Sequence, residues 1–444
     1  MAAKKILFVL LMLLLVYNPF AEEPDYEQYQ RDTINYGTDN EIAELIRKLK
    51  TDNITYLDND LIALSKTSKN INILNNLFLF FSDREQGGLE DAAMDILQQR
   101  EEKEPQIVNA AITYLGQVKY VKAQNILQDI IKSNEDRYRN ISIKALGKTA
   151  NGTAGADAIS GMLMEFYNNN SPSSETQREI VAALGSAASN NSLNFLLDII
   201  KNNDEGAPLR MAALDAAAKI KNNAALDVII EAAGAQDVNV RASAISALGS
   251  FSGERVEQAI IDGFRDTFFR TRLAAVKAAG DLKLAKAAPF LRYRAERDEV
   301  ASVKEEAVRA LGAIDRSDTN DMLKKLFEDQ KNSDKLRILC AEMLLKNNAE
   351  QYADQVITKL DDVKSKKQTA FYNGLLKALS NAKTDKVKPL AARLFSSKDI
   401  IEKSFALEIT AANKFTNFKE EVEKISEDKK NSLSRKAADV LSKL

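Results

Sequence analysis

The chain has 444 residues, 62 of them basic and 64 acidic, for a formal net charge of −2; so even a balance excludes bulk attraction to nucleic acid or to an anionic membrane. There is no histidine and one cysteine, which removes Ser-His-Asp and Cys-His nucleophile systems, histidine metal ligands and thiolate zinc sites. No cofactor is expected either, because the one glycine-rich stretch, Asn151-Gly152 to Gly155, lacks the Lys-Ser/Thr ending and the strand context of a phosphate loop.

In chain order, Lys4 and Lys5 precede the apolar run Ile6–Val16, followed by Asn18-Pro19-Phe20-Ala21 and the acidic Glu22-Glu23. A basic start, a short apolar region and a helix-breaking proline predict a secretory signal peptide over residues 1–21, cleaved after Ala21. The run is too short to span a bilayer comfortably. Export to a periplasmic or extracellular location is therefore expected, with an uncleaved N-terminal anchor as the alternative. Residues 22–69 are less patterned. Glu22–Asn40, with Tyr26, Tyr29 and Tyr36, predicts an extended polar leader, and Glu41–Lys50 and Leu57–Lys66 predict helices capping the end of the array that follows.

From residue 70 to 444 a phrase returns, clearest as Val240-Arg241, Ala244, Ala247, Leu248 and Gly249. Its last position recurs at Gly116, Gly147, Gly185, Ala218, Gly249, Gly280, Gly312, Leu345, Ser380, Thr410 and Ser442. Leucine usually precedes it, as at Leu115, Leu146, Leu184, Leu248 and Leu311, and a small or apolar residue lies five before, as at Ala111, Ala213, Ala244, Ala275 and Ala307. That spacing describes an amphipathic helix. A break and a second apolar-periodic stretch follow each marker, such as Val256–Phe264 after Gly249, so each unit reads as helix, turn, helix, loop. The marker glycines are expected as left-handed helix caps. Pro289 and Pro389 share a phase and place the start of the second helix, since proline fits a first helical turn. Asn168–Thr176 fills the longest step of the array and predicts a surface loop.

A two-helix unit carrying Asp237, Val240, Arg241, Ala244, Ala247, Leu248 and Gly249, and less completely Asp136, Arg139, Ala145, Leu146 and Gly147, resembles the HEAT repeat, in the short bacterial form of phycobilisome-lyase-type proteins. The resemblance implies an all-α, armadillo-like α-solenoid superhelix of about eleven to twelve repeats, with a period of about 31–33 residues. It also implies that second helices line the concave side and that an Asp–Arg ladder ties units together. The arginine phase holds Arg139, Arg210, Arg241, Arg272, Lys304, Arg337 and Arg435, most of them a few residues after an aspartate such as Asp136, Asp237 or Asp334.

Without histidine, the chemistry left to an enzyme is that of paired carboxylates, for which Asp361-Asp362 and Glu305-Glu306 are candidates. One segment departs from the average of the array: Phe264, Arg265, Phe268, Phe269 and Arg270, then Arg292, Tyr293 and Arg294. Arginine and aromatic residues are enriched at interface hot spots, so this strip is the expected partner-binding surface; no catalytic or metal site is expected. The leading expectation is an exported, non-enzymatic scaffold or adaptor that binds a protein or peptide on the concave surface, with no nucleic-acid partner and no stable membrane span. The alternatives are a secreted α/α-toroid carbohydrate-active enzyme and, disfavoured, a bilin-lyase-like protein. Cys340, the single thiol, falls at a core position of its unit.

Overall fold

The computed structural model describes residues 26–444 apart from positions 53, 134 and 429. The expected signal peptide, residues 1–21, lies outside the described residues. The fold is an α-solenoid. Among the described residues there is no strand, and twelve successive helix pairs run from Asp39–Asp52 with Asp58–Thr67 to Ile400–Asn413 with Lys419–Glu427. They are preceded by Tyr26–Tyr36 and followed by Ser434–Leu441. Tyr26–Tyr36 corrects the expected extended leader: Gln30 and Ile34, one helical turn apart, are buried.

The chain forms two compact units, the first ending at Asp198 and the second beginning at Ile199. In the first, Pro105–Gln117, Asp136–Ala150 and Ser174–Ala187 carry the repeated phrase and pack side by side in succession. In the second, the phrase helices are Ala207–Ile220, Val238–Leu248, Phe269–Asp281, Ala301–Ile314, the first half of Asp334–Ser365, Thr369–Ser380 and Ile400–Asn413. Asp334–Ser365 is two helices in one run, broken at Asn348, whose φ −154° and ψ 85° are non-helical.

Val238–Leu248 shows how the sequence makes one such helix. The Asp237 carboxylate accepts the N–H groups of Asn239 and Val240, satisfying donors that a helix start leaves open. Val240, Ala244, Ile245, Ala247 and Leu248 then form its buried stripe. As the proline phase predicts, Pro289 and Pro389 sit in the first turns of Ala288–Arg297 and Lys388–Phe395. The longest step of the array is filled mainly by the second helix Ala156–Asn169, which narrows the expected loop to residues 170–173.

The marker glycines are not left-handed caps. Most lie inside or at the end of their helices, and the positive φ falls three residues later, on Lys119 (54°), Ala188 (54°), Lys221 (55°), Lys283 (50°) and Asp315 (48°). What the marker position requires is space. A Cβ on Gly147 would stand 2.7 Å from Ala183 Cα, and one on Gly280 would stand 2.9 Å from Ala310 Cβ and 3.0 Å from its Cα. The neighbour is the alanine two places before the next marker, so the Ala-Leu-Gly phrase is the contact by which one phrase helix seats against the next. Side chains in close-packed interiors leave no slack for an extra methyl group.

Candidate functional site

The arginine phase supplies the most ordered polar feature of the array. Apart from Arg435, each of these side chains stands in the first turns of its phrase helix and reaches back to carbonyls at the end of the preceding helix or in the loop. Arg139 donates to Ile131 and Ser133 (3.2 and 2.7 Å), and Arg337 donates to Phe327 (3.0 Å). Arg241 and Arg272 also pair forward. Arg241 grips Asp266 through Nε and Nη2 (2.7 and 3.1 Å), and Arg272 grips Asp298 likewise (2.8 and 2.9 Å). This two-point geometry matches a planar fork to a planar carboxylate. The partner is the aspartate of the next loop. Asp237, the expected partner of Arg241, instead caps its own helix.

Asp298 is completely buried at its side chain and Arg272 nearly so. Burial alone would raise the Asp298 carboxyl, but the Arg272 hydrogen bonds, the Val300 N–H and the Arg272 and Arg294 charges outweigh it and hold the group below its ordinary range. Asp266 is likewise held low, against the effect of burial, by Arg241 and the Phe268 N–H.

This ladder meets the Arg/aromatic strip in the second unit. Phe264 closes Glu254–Gly263 and is 1% exposed; its ring lies 5.8 Å from that of Phe290, so it belongs to the core. Arg265 stacks over Phe290 at 5.4 Å. Phe264, Arg265, Pro289, Phe290, Tyr293 and Arg294 line an open groove of about 410 Å³. Tyr293 is 56% exposed, and Arg294 lies 5.3 Å from its ring while contacting Asp298 at 3.3 Å. Asp298 thus serves two guanidinium groups, Arg272 having Glu299 as a second partner at 3.3 Å, and the charged residues of the groove's own lining are Arg265 and Arg294. Phe268 and Phe269 (5.5 Å between rings) form a separate cluster under Arg270. Arg292 is exposed and lines neither. Of the eight residues that the sequence singles out, four share the groove, three make the second cluster and one stands apart.

Phrase helices of the second unit seat directly on one another through their small residues, whereas the second helices touch one another little. Arg292, Tyr293 and Arg294 stand on Ala288–Arg297, in the layer of second helices.

The carboxylate pairs offer no free dyad. Asp361 binds Arg393 (2.7 Å), Asp362 binds Lys366 (2.9 Å), Glu305 binds Lys335 (2.7 Å) and Glu306 binds Arg309 (3.1 Å). Cys340 is fully buried, and that burial pushes its thiol up to about 12, against the pull of Arg337, so the nucleophilic thiolate is suppressed. No helix among the described residues is long and apolar enough to cross a membrane.

Such a chain is a helical-repeat protein whose side-chain chemistry goes chiefly into holding units together. The sequence profile of the family described as "Spirochaete HEAT repeat protein" matches residues 34–440, and the chain belongs to that family. No curated protein matches it. Among solved structures, it is similar to yeast importin-beta, Kap95p, at 13% identity and a TM-score of 0.52, over 96% of this chain and 65% of that one. The Kap95:Nup1 complex gives 12% identity and a TM-score of 0.55, over 95% and 67%. Kap121p bound to Pho4p gives 14% or less, namely 13%, with a TM-score of 0.45 over 94% of this chain. The chain spans about half the length of the Kap121p structures it matches, 53% in that case. At these identities the likeness is one of fold.

Proposed function

We propose that the chain is an exported, non-enzymatic scaffold or adaptor that binds a protein or peptide partner along its repeat array, with the groove of Arg265, Tyr293 and Arg294 as the main contact. One observation carries the reading: an exposed tyrosine flanks an open, arginine-lined groove in an array whose other large side chains are mostly buried. Tyrosine and arginine supply rigid area and directional charge, the chemistry typical of hot spots. The fold supports the reading in general terms, since the similar solved structure of Kap95 is a complex with Nup1. Export rests on the pattern of residues 1–21.

The strip, groove included, is tested by Arg265→Ala, Arg292→Ala and Tyr293→Ala combined, because none of these side chains holds an ion pair of the ladder. Affinity capture from the envelope fraction of the source cell should lose the partner with this variant while circular dichroism stays unchanged. Capture equal to wild type would remove the strip as the docking surface. Fractionation of cells with and without residues 1–21 checks export.

A further inference from the structure

The ladder has an open rung. Arg210 occupies the same helical position as Arg241 and Arg272, the fourth residue of Ala207–Ile220, and is 8% exposed. Its Nε donates to the Ile200 carbonyl at 2.9 Å, as its counterparts cap the preceding helix. Its Nη1 and Nη2 have no hydrogen-bonded or ionic partner among the described residues. The reason is one residue. Asp266 and Asp298 lie three before the first residue of the next phrase helix, and before Val238–Leu248 that place is held by Ala235. Asp237, two residues further on, accepts the N–H groups of Asn239 and Val240 and makes no ion pair with Arg210.

The unpaired guanidinium lines a groove of about 710 Å³, together with Lys201, Asn203, Val228, Ala235 and Gln236. The outer nitrogens of this fork open into the groove, where they are placed to take an anion, and the two neighbouring rungs show which anion fits such a fork. We propose that this groove binds a carboxylate supplied from outside the chain, seated two-point on Arg210 as Asp266 and Asp298 are on their arginines, and that the carboxylate is an acidic side chain of a peptide segment. The volume exceeds what a carboxylate alone would fill and lies in the range of ligand sites. Val228 and Ala235 offer an apolar bed for the methylene stem, and the Asn203 and Gln236 amides are placed to meet a peptide backbone. Glu231 and Asp237 also line the groove, which favours a singly charged carboxylate over a phosphate dianion. The site itself does not depend on the proposed docking strip; only the peptide source of the carboxylate rests on the partner-binding reading.

The test is fluorescence anisotropy with the full chain and a labelled, end-blocked peptide that carries a single glutamate among alanine and serine residues. Wild type should bind it. Ala235→Asp, which closes the rung from within, should weaken binding about tenfold or more while raising the melting temperature. Arg210→Met should weaken binding to the same extent. The Arg265/Arg292/Tyr293 alanine variant should bind the peptide like wild type, so that loss of the strip and loss of this site are read separately. No binding by wild type at millimolar peptide, or equal binding by Ala235→Asp, would overturn the proposal. Full competition by free succinate at matched carboxylate concentration would overturn the peptide source and leave a small-molecule carboxylate site.

Discussion

At the residue scale, Arg272–Asp298 is the most deeply buried ion pair among the described residues of the second unit. Asp298→Ala would leave Arg272 buried without its counter-charge, and should destabilise that unit by about 3–4 kcal/mol in urea melts. Replacing both partners with apolar residues of similar volume should cost much less, because the uncompensated charge is then gone. Acid dependence follows from the depressed carboxyls. Asp266 and Asp298 have folded-state pKa values below their unfolded ones. Their stabilisation is therefore complete above the unfolded value of about 3.9 and is lost as pH falls through the folded value. Wild type should lose stability steeply below about pH 4, and Asp298→Asn should show a shallower slope there from a lower starting point. The arginine phase and the Arg/aromatic strip were legible in the sequence. Arg139 and Arg337 pair with the expected Asp136 and Asp334, but the partner of Arg241 was not legible, because an aspartate near in sequence, Asp237, competes with one near in space, Asp266, and only the loop path decides between them.

At the element scale, spacing rather than backbone conformation sets the glycine requirement. Gly280→Ala places a methyl group 2.9 Å from Ala310 Cβ in a rigid helix pair, and overpacking of this kind should cost about 1–3 kcal/mol. Gly161, inside Ala156–Asn169, meets nothing closer than the Asn191 amide nitrogen at 4.0 Å. Gly161→Ala should instead stabilise by up to about 1 kcal/mol through helix propensity. Thermal melts of the two variants should move in opposite directions. A left-handed cap role is not the cause at Gly280, because the positive φ falls three residues later, on Lys283. Helix number and order were legible, since amphipathic periodicity and proline placement are local. The break at Asn348 and the length of Ala156–Asn169 were not, because both depend on what the neighbouring unit leaves to be covered.

At the scale of the whole molecule, a repeat array is stabilised by nearest-neighbour contacts, so each element covers apolar surface of the one it follows. Ser434–Leu441 places Ala437 and Val440 on Leu407, Val422 and Ile425. Deleting residues 434–444 would uncover that cluster and should lower solubility and the melting temperature of the C-terminal repeats, with little change in hydrogen-exchange protection around Val240 to Leu248. Uniform loss of protection along the chain would contradict nearest-neighbour behaviour. The two candidate binding features, the strip groove and the open rung, both interrupt the repeat: one adds aromatic and basic side chains, the other omits an aspartate.

The sequence by itself determined the all-helical class, the period of the units, their order and the absence of histidine chemistry, because each depends on residue type and on spacing within one helix. Tertiary structure alone decided which aspartates Arg241 and Arg272 hold, why the marker is so often glycine, on which layer Tyr293 stands, and that Arg210 is left without a carboxylate. Those are contacts between units. They depend on how neighbouring helices and loops are placed in space, which a one-dimensional repeat does not state.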